Sequence, residues 1–335
     1  MANPVLVEVT RGETVESRHS GAAVVIDADG NNLLALGDVD RHVYPRSAVK
    51  ALQALPLVES GIADRMGLTD AEIALACASH SGEMPHVETA AAVLRKAGRD
   101  ETCLECGVHW PLGEAATRAL AARGGSPSAL HNNCSGKHAG FVCLACGSGA
   151  DPKGYVRPGH PVQQAVRAAL EAVTGAPHGE EARATDGCSI PTYAVPLHAL
   201  ALGLARFGAD VGMSDGHVRA ARRIRRAVAA NPFMVAGTGR FDTVVMEALG
   251  VRAFVKTGAE GVHCAALPEL GLGLAVKADD GTRRAAEVMM AALIGRFLPL
   301  DDRERTVIDA AARHDIVNWN GIVVGEVRAA GPLAA

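Results

Sequence analysis

A serine and a lysine stand one helical turn apart in the segment Tyr44–Lys50, where Ser47 and Lys50 occupy positions i and i+3. Side chains at this spacing are neighbours on one helical face, so a hydrogen bond between hydroxyl and amine can form. A serine hydroxyl becomes a good nucleophile when a base takes its proton, and a lysine can be that base if burial or a nearby cation lowers its pKa. The pair predicts acyl-transfer chemistry, although the spacing alone is more often that of an ordinary helix face.

A second lysine motif, Lys256–Gly258, reads Lys-Thr-Gly and ends an apolar run with strand character. This order of Ser-x-x-Lys and Lys-Thr-Gly is that of penicillin-recognising serine enzymes. Their third element, Ser-Asp-Asn, is absent, which weakens a β-lactamase interpretation. Its best replacement is the segment Cys77–Glu83, in which Ser79 is a candidate second activated hydroxyl. An ordinary helix C-cap is the competing interpretation of that segment.

Two polar segments, His131–Gly140 and Thr185–Pro191, each place a cysteine among glycines and hydrogen-bonding side chains. Thiolates from separate loops can bind zinc, so Cys134 and Cys188 are candidate ligands, but a tetrahedral zinc ion needs further ones.

A competing metal hypothesis uses two Cys-x-x-Cys units, Cys103–Cys106 and Cys143–Cys146, whose spacing resembles that of a structural zinc site. The second unit lies in an apolar helical stretch, where buried thiols need no metal. The pattern therefore favours buried, reduced thiols over a zinc ribbon.

The elements that must position these residues follow a β, then α, then β order. Strand patterns occupy Val5–Thr10, Ala22–Ile26, Asn32–Leu36, Arg252–Lys256, Gly261–Ala266 and Gly271–Lys277, and an apolar run covers Gly321–Val327. Helical patterns begin at Pro45 and continue over Pro85–Ala97, Gly113–Ala122, Pro161–Val173, Pro191–Phe207, His217–Ala229, Phe241–Leu249 and Thr282–Phe297.

Such an order predicts an α/β sandwich whose sheet is built from both termini and whose helical domain is inserted between them. We predict a sheet segment at 1–45, a mainly helical domain at 46–245 that carries the nucleophile and the thiol loops, and the rest of the sheet domain at 246–335. The Gly- and Pro-rich segment Gly147–Pro161 either connects helices or closes over a site, and the connector is the favoured interpretation.

The composition of the 335 residues, with 48% apolar and 3% aromatic side chains, is typical of a globular core built from small aliphatic residues. The net charge is −4, and the densest basic run, Arg222–Arg226, lies in a helical pattern whose solvated face explains it, which argues against nucleic-acid binding. No export signal is recognisable, and the most apolar segment, Ala194–Ala205, is too short to span a bilayer. We expect a soluble cytoplasmic protein with no membrane partner, whose eight cysteines stay reduced.

Together, these motifs resemble those of the rhizobial-type (class 3) L-asparaginases. Each motif alone is weak, but as a set they are specific and spread over almost the whole chain. The segments that carry the resemblance are Ser17–Gly21, Tyr44–Lys50, Ala78–Glu83, His131–Phe141, Asp186–Thr192 and Ala230–Pro232.

The resemblance implies a fold similar to serine β-lactamases and glutaminases, with helices and an antiparallel sheet. It also implies a homodimer that hydrolyses L-asparagine to L-aspartate and ammonia. The two Ser-Lys tandems of that family map to Ser47 with Lys50 and to Ser79 with Lys256.

The zinc site of that family, in which a neutral lysine joins two thiolates, maps to Cys134, Lys137 and Cys188. Asp186 and His138, beside these ligands in the sequence, are the implied substrate-binding residues. A lysine amine binds zinc only when deprotonated, so metal occupancy should fall with acidity. Zinc is expected to aid substrate binding rather than to act as the hydrolytic Lewis acid, because the serines supply a nucleophile.

The favoured hypothesis is that Ser47, activated by Lys50, attacks the side-chain amide, and that water then releases aspartate from a covalent intermediate. Ser79 and Lys256 would shuttle protons or share the attack, and the order of the two serines stays open, as does activity on glutamine. Two alternatives are a β-lactam or peptide hydrolase, and a zinc-dependent amino-acid-binding module without turnover.

Overall fold

The structure, a computed structural model, describes residues 2–334 and separates into two compact units. The first, here called the sheet unit, comprises the chain up to Ala48, Val195–Gly212 and the chain from Arg252 onwards. The second, the helical unit, comprises Val49–Ala194 and Met213–Val251. The sheet unit is therefore assembled from both ends of the chain, as its β, α, β order predicts.

Within residues 2–334, eight strands form one antiparallel sheet in the order β11-β12-β1-β2-β10-β9-β8, with β3 also paired to β2. Two short antiparallel pairs, β4 with β7 and β5 with β6, lie outside it. The strands are β1 (Val5–Arg11), β2 (Thr14–Asp27), β3 (Asn32–Leu36), β4 (His42–Val43), β5 (Arg183–Thr185), β6 (Pro191–Tyr193), β7 (Val195–Pro196), β8 (Phe254–Thr257), β9 (Val262–Leu267), β10 (Leu272–Ala278), β11 (Arg313–Val317) and β12 (Val323–Ala329).

The helices described between residues 2 and 334 fall mostly where the apolar periodicity predicts them. They are α1 (Lys50–Gln53), α2 (Leu55–Glu59), α3 (Ile62–Arg65), α4 (Asp70–Ala76), α5 (Met84–Lys96), α6 (Glu114–Ala122), α7 (Ser135–Ser148), α8 (Pro161–Thr174), α9 (Leu197–Ala209), α10 (Asp215–Ala230), α11 (Pro232–Ala236), α12 (Phe241–Leu249), α13 (Arg283–Phe297) and α14 (Asp302–Ala312). In this part of the chain, no helix is both long and apolar enough to cross a membrane.

The middle strands of the sheet are buried without alternation. In β2 the consecutive residues Ala22–Ile26 are all buried, and β9 is buried along its whole length. Because neighbouring side chains of a strand point to opposite faces, continuous burial means that both faces are covered. Helices α9 and α13 supply this cover, since each packs against β2, β9 and β10. The mixed architecture with an antiparallel sheet confirms the predicted fold class.

One predicted helix, Pro191–Phe207, is wrong over its first part, which forms β6 and β7. The helix itself begins at Leu197, directly after Pro196, because proline is excluded from a helix interior by its missing N–H and its ring. The predicted division also assigned this helix to the domain 46–245, whereas α9 belongs to the sheet unit and covers its strands. The other predicted domain limits stay predictions.

Candidate active site

The side-chain amine of Lys50 is buried in the helical unit against three polar groups. Its Nζ donates to the Ala78 carbonyl oxygen at 2.5 Å, to Ser79 Oγ at 2.9 Å and to Cys134 Sγ at 3.0 Å. Lys50 has no exposed surface, so these contacts replace the water that the amine would otherwise need. The sequence spacing pairs Lys50 with Ser47, but in the helical unit the hydroxyl in contact with Lys50 is that of Ser79.

Ser79 lies in the loop after α4, here called the Ser79 loop (Ser79–Glu83), whose backbone is tied to two other segments. The Ser79 N–H donates to the Val235 carbonyl at 2.9 Å, and the His80 N–H donates to the Asn133 carbonyl at 3.2 Å. These bonds hold the loop beyond the end of the helix, and Ser79 is buried. The segment is therefore more than a helix C-cap, because its serine is held inside the protein against a lysine.

A buried histidine joins the Ser79 loop to the first turn of α7. His80 Nδ1 accepts the Gly82 N–H at 3.1 Å, which leaves Nε2 to donate to Ser135 Oγ at 2.9 Å. Burial, followed by the nearby His86 and Lys50, lowers the pKa of His80 well below its ordinary value, so the ring is neutral. The sequence motifs contain His80 and Ser135 but do not indicate that they bond to each other.

A carboxylate clasp holds the far end of the Ser79 loop. Glu83 Oε1 accepts from Ser81 Oγ at 2.6 Å and from the Thr238 N–H at 2.9 Å, while Oε2 accepts from Thr238 Oγ at 2.7 Å. Gly237 has φ of +111°, and a Cβ there would overlap with Ser81 Oγ, so glycine is required. Burial alone would raise the pKa of Glu83, but hydrogen bonds from Ser81 and Thr238 outweigh it and the pKa lies below its ordinary value.

Thr238→Val tests this clasp, because valine keeps the shape and the backbone N–H but removes the hydroxyl donor. At neutral pH we expect the free energy of unfolding to fall by about 1 kcal/mol, the net value of one hydrogen bond. Glu83 has a lower pKa folded than unfolded, so its stabilisation is complete above the unfolded pKa and disappears as pH falls through the folded pKa. In urea unfolding, the gap between wild type and variant should therefore close in acid.

The control for this experiment is Thr14→Val, which changes an exposed threonine on β2 in the same way. Its effect on the unfolding free energy should be small and should not depend on pH in this range. If the unfolding free energies of wild type and Thr238→Val differ by the same amount at neutral and at acidic pH, the Glu83 carboxylate is not the partner of the Thr238 hydroxyl.

The thiols of Cys134 and Cys188 are hydrogen-bonded to each other inside the helical unit, and both residues are buried. Lys137 Nζ lies 3.1 Å from Cys188 Sγ, and Asp186 Oδ2 lies 3.7 Å from the same sulfur. The structure thus brings together four of the residues that the resemblance assigns to the site. They come from the start of α7 and from the turn between β5 and β6.

The charges of this cluster follow from its hydrogen bonds. The bond from Cys188 lowers the pKa of Cys134 well below its ordinary value, against the effect of burial and with the help of Lys50 and Lys137. The same bond, together with burial, raises the pKa of Cys188. Burial alone would lower the pKa of Lys137. The effect of the two thiols and Asp186 is larger than that of burial, so the pKa of Lys137 is raised. Cys134 is accordingly the thiolate, and Lys137 is an ammonium.

The donor set of this cluster suits a zinc ion, since two sulfur atoms and an amine converge in a buried place. Zinc would have to displace the protons of Cys188 and Lys137, so binding would release protons. Among residues 2–334, no group of three or more His, Cys, Asp or Glu side chains could hold a metal, and in this cluster the third donor is a lysine.

Among the described residues, Cys103–Cys106 and Cys143–Cys146 included, no group of three or more His, Cys, Asp or Glu side chains could hold a metal. Cys106 contacts the Ala129 carbonyl and Cys143 contacts the Val93 carbonyl. Burial raises the pKa of Cys106 and of Cys143 to about 12 each, so both stay protonated thiols.

The two predicted substrate-binding residues lie at different depths. Asp186 is half-buried in a turn. Ser189, three residues further along this turn, has a strained φ of +74°. His138 is fully buried, and its Nδ1 lies 2.7 Å from the Tyr155 hydroxyl. Burial, followed by Lys137 and Lys50, lowers the pKa of His138 well below its ordinary value. Tyr155 is a residue of this region that the sequence motifs do not indicate.

Ser47 belongs to the sheet unit and is half-buried in a 3-10 turn at Arg46–Val49. The turn begins with Arg46 at φ +51°, a conformation that costs energy for any residue with a Cβ. Backbone strain of this kind clusters at functional sites, where the surrounding structure enforces it. The strain directly before Ser47 is therefore in keeping with a functional role for this turn.

Lys256, also in the sheet unit, is fully buried on β8, and its Nζ donates to the Thr257 carbonyl at 2.8 Å. Gly258 follows the strand, and a Cβ there would lie 2.8 Å from the Pro45 carbonyl oxygen. Glycine thus lets the end of the Lys-Thr-Gly strand approach the chain just before Ser47. Within the sheet unit, the end of the Lys-Thr-Gly strand therefore lies against Pro45, two residues before Ser47.

Comparison with known proteins gives a family match and more distant structural likenesses. A family model described as L-asparaginase II matches residues 7–329, a range that includes every predicted site residue. No curated protein sequence matches the chain significantly. A beta-lactamase from Mycobacterium bovis is 15% identical, with a TM-score of 0.39 over 87% of this chain and 93% of that one. A structure named Mglu is also 15% identical, with a TM-score of 0.34 over 79% of this chain and 64% of that one.

Proposed function

Because the chain belongs to the L-asparaginase II family and is an amidohydrolase, we propose that it hydrolyses free L-asparagine to L-aspartate and ammonia through a lysine-activated serine. The observation that carries the proposal is the buried contact of 2.9 Å between Lys50 Nζ and Ser79 Oγ. An unprotonated lysine amine at this distance can take the proton of a serine hydroxyl, which is the step that makes the oxygen nucleophilic.

Ser47 is the proposed nucleophile and Lys50 its general base. Once Lys50 has released one proton to solvent, the Ser47 proton passes to its amine. Oγ then bonds to the side-chain carbonyl carbon, and the π electrons move to the carbonyl oxygen. When the tetrahedral intermediate collapses, its nitrogen takes the proton from the lysine ammonium and leaves as ammonia. Water then hydrolyses the ester, which releases L-aspartate and restores Ser47. Ser79 passes protons or shares the attack, with Lys50 or Lys256 as its partner.

The proposed substrate contacts place opposite charges together. Asp186 would accept hydrogen bonds from the α-ammonium group of the amino acid, since its carboxylate is half-buried beside Cys188. His138 would donate to an oxygen of the substrate. A small amino acid with both groups suits such a site better than a large or uncharged molecule.

Cys134, Lys137 and Cys188 would hold the zinc ion. When bound, zinc would supply positive charge that orients the carboxylate or amino group of the substrate. Cys188 and Lys137 must give up their protons first, so the affinity for zinc should fall as the solution becomes more acidic. The homodimer and the cytoplasmic location are also proposals, and light scattering of the purified protein tests the first.

Release of ammonia from L-asparagine and from L-glutamine, measured on the purified protein, tests the proposed function. We expect ammonia and L-aspartate in equal amounts from asparagine, and no turnover of a chromogenic β-lactam. A chelator should raise KM by about 10-fold or more, as loss of a metal-site interaction does elsewhere, and added zinc should restore it. The effect on kcat should be smaller because zinc aids binding.

Two other results would support the alternatives. Binding of asparagine without ammonia release would indicate an amino-acid-binding module. Turnover of the β-lactam in preference to asparagine would indicate a β-lactam hydrolase, although the family match over residues 7–329 favours neither.

A further inference from the structure

Tyr155 is the largest fully buried side chain among the described residues. It lies in the segment Gly147–Pro161, for which the sequence favours a plain connector. Its hydroxyl has two partners, the Glu105 N–H at 2.8 Å and His138 Nδ1 at 2.7 Å. The segment is therefore also part of the layer that supports the candidate active site.

The hydrogen count of this contact determines the tautomer of His138. The Glu105 N–H donates to the Tyr155 oxygen, so the oxygen is the acceptor in this bond and its own hydrogen stays available for His138. Burial raises the pKa of Tyr155, so the phenol keeps its one proton. In the part of the chain that the structure describes, His138 Nδ1 is the acceptor within reach of that proton. A neutral ring that accepts at Nδ1 carries its own hydrogen on Nε2.

His138 Nε2 is a buried polar atom that has no hydrogen-bond partner among residues 2–334. Buried N–H groups are almost always paired in proteins, so this one needs an acceptor that the described residues do not supply. The Phe141 and Tyr155 rings pack around the imidazole at centroid distances of 6.0 Å and 5.4 Å. These apolar neighbours exclude water, which strengthens a bond that the N–H would make to a charged acceptor.

We propose that Tyr155 is a positioning residue that holds His138 as an Nε2–H donor for the α-carboxylate of the amino-acid substrate. The identity of this ligand rests on the proposed function, whereas the tautomer rests on the contacts of Tyr155 alone. The α-carboxylate is the anionic acceptor that an amino-acid substrate offers, and an N–H bond to a carboxylate is stronger than one between neutral groups. Tyr155 touches neither the substrate nor the reacting atoms, so it acts only through His138.

Tyr155→Phe removes the hydroxyl with little change of shape. Nitrogen-15 NMR of histidine-labelled protein should show His138 with its hydrogen on Nε2 in the wild type, and a mixture of tautomers in the variant. KM for L-asparagine should rise about tenfold, with a smaller change in kcat, since the carboxylate contact is present in both ground and transition states. The control Tyr193→Phe changes another buried tyrosine of the helical unit and should alter neither quantity.

A second pair of variants separates the two ring nitrogens. Asparagine at position 138 places its amide near the former Nδ1, whereas glutamine places its amide near the former Nε2. His138→Gln should therefore keep a KM closer to that of the wild type than His138→Asn. In the wild type, added L-aspartate should shift the His138 Nε2 signal.

An unchanged tautomer and KM in Tyr155→Phe, or no response of the His138 signal to L-aspartate, would overturn the proposal. Equal KM values of His138→Asn and His138→Gln for L-asparagine would also overturn it. Failure of the proposed function is a different result: the wild type would release no ammonia, while the tautomer and the response to L-aspartate could still be measured on the same protein.

Discussion

Lys50→Met is expected to lower kcat/KM for ammonia release from L-asparagine by about 10²- to 10⁴-fold, the usual contribution of a positioned general base. Methionine fills nearly the same volume but cannot take a proton or donate to Ser79 Oγ and Cys134 Sγ. The loss should fall mainly on kcat, because the proton transfer belongs to the chemical step. The measurement is steady-state ammonia release at saturating and at low asparagine concentrations.

The main alternative explanation of such a loss of activity is that the variant no longer folds. Removing one partner of a buried charged contact costs about 3–5 kcal/mol of stability. The folded fraction of Lys50→Met is therefore measured by urea unfolding, and its activity is expressed per folded molecule. Lys153→Met, which changes an exposed lysine of the same unit, should keep full activity. If Lys50→Met retains activity within a factor of about two while folding normally, Lys50 is not the base.

Ser47→Ala is expected to have the largest effect, a loss in kcat of at least about 10⁴-fold, because it removes the atom that forms the covalent intermediate. Ser79→Ala should cost less, about 10²-fold, since a relay hydroxyl can be replaced in part by water. Rapid mixing with asparagine followed by intact-mass measurement should detect the aspartyl ester in Ser79→Ala and not in Ser47→Ala.

A larger loss in Ser79→Ala, with the ester retained in Ser47→Ala, would reverse the two roles. This outcome has a structural basis, because Ser79 is the hydroxyl that Lys50 contacts. Full activity in both variants would reject the serine mechanism. Ser126→Ala, an exposed position of the helical unit, provides the control for the substitution itself.

Much of the fold could be predicted because periodicity is a local property. The apolar spacing of α12 and the β, α, β order of the chain depend on residues close in sequence, and both are confirmed. The predicted start of this helix at Pro191 is wrong because the apolar run before Pro196 suits a helix or a strand equally well. Pairing with β4 and β5, which are distant in sequence, decides that this run forms strands.

For the candidate site, the sequence alone determined which residue types are present and which short segments carry them. Ser47, Lys50, Ser79 and the two thiol segments can be found by spacing and by their resemblance to a known family. The chemistry of a hydroxyl, an amine and two thiols also follows from residue type.

Only the tertiary structure decided which of these groups meet. The bond from Lys50 to Ser79 joins positions 29 apart, and the bond from Lys137 to Cys188 joins positions 51 apart. The support of His138 by Tyr155 likewise needs a loop whose composition favours a connector. Side-chain partners at such separations depend on how helices and loops pack, and burial then sets their charge, so neither can be read from local spacing.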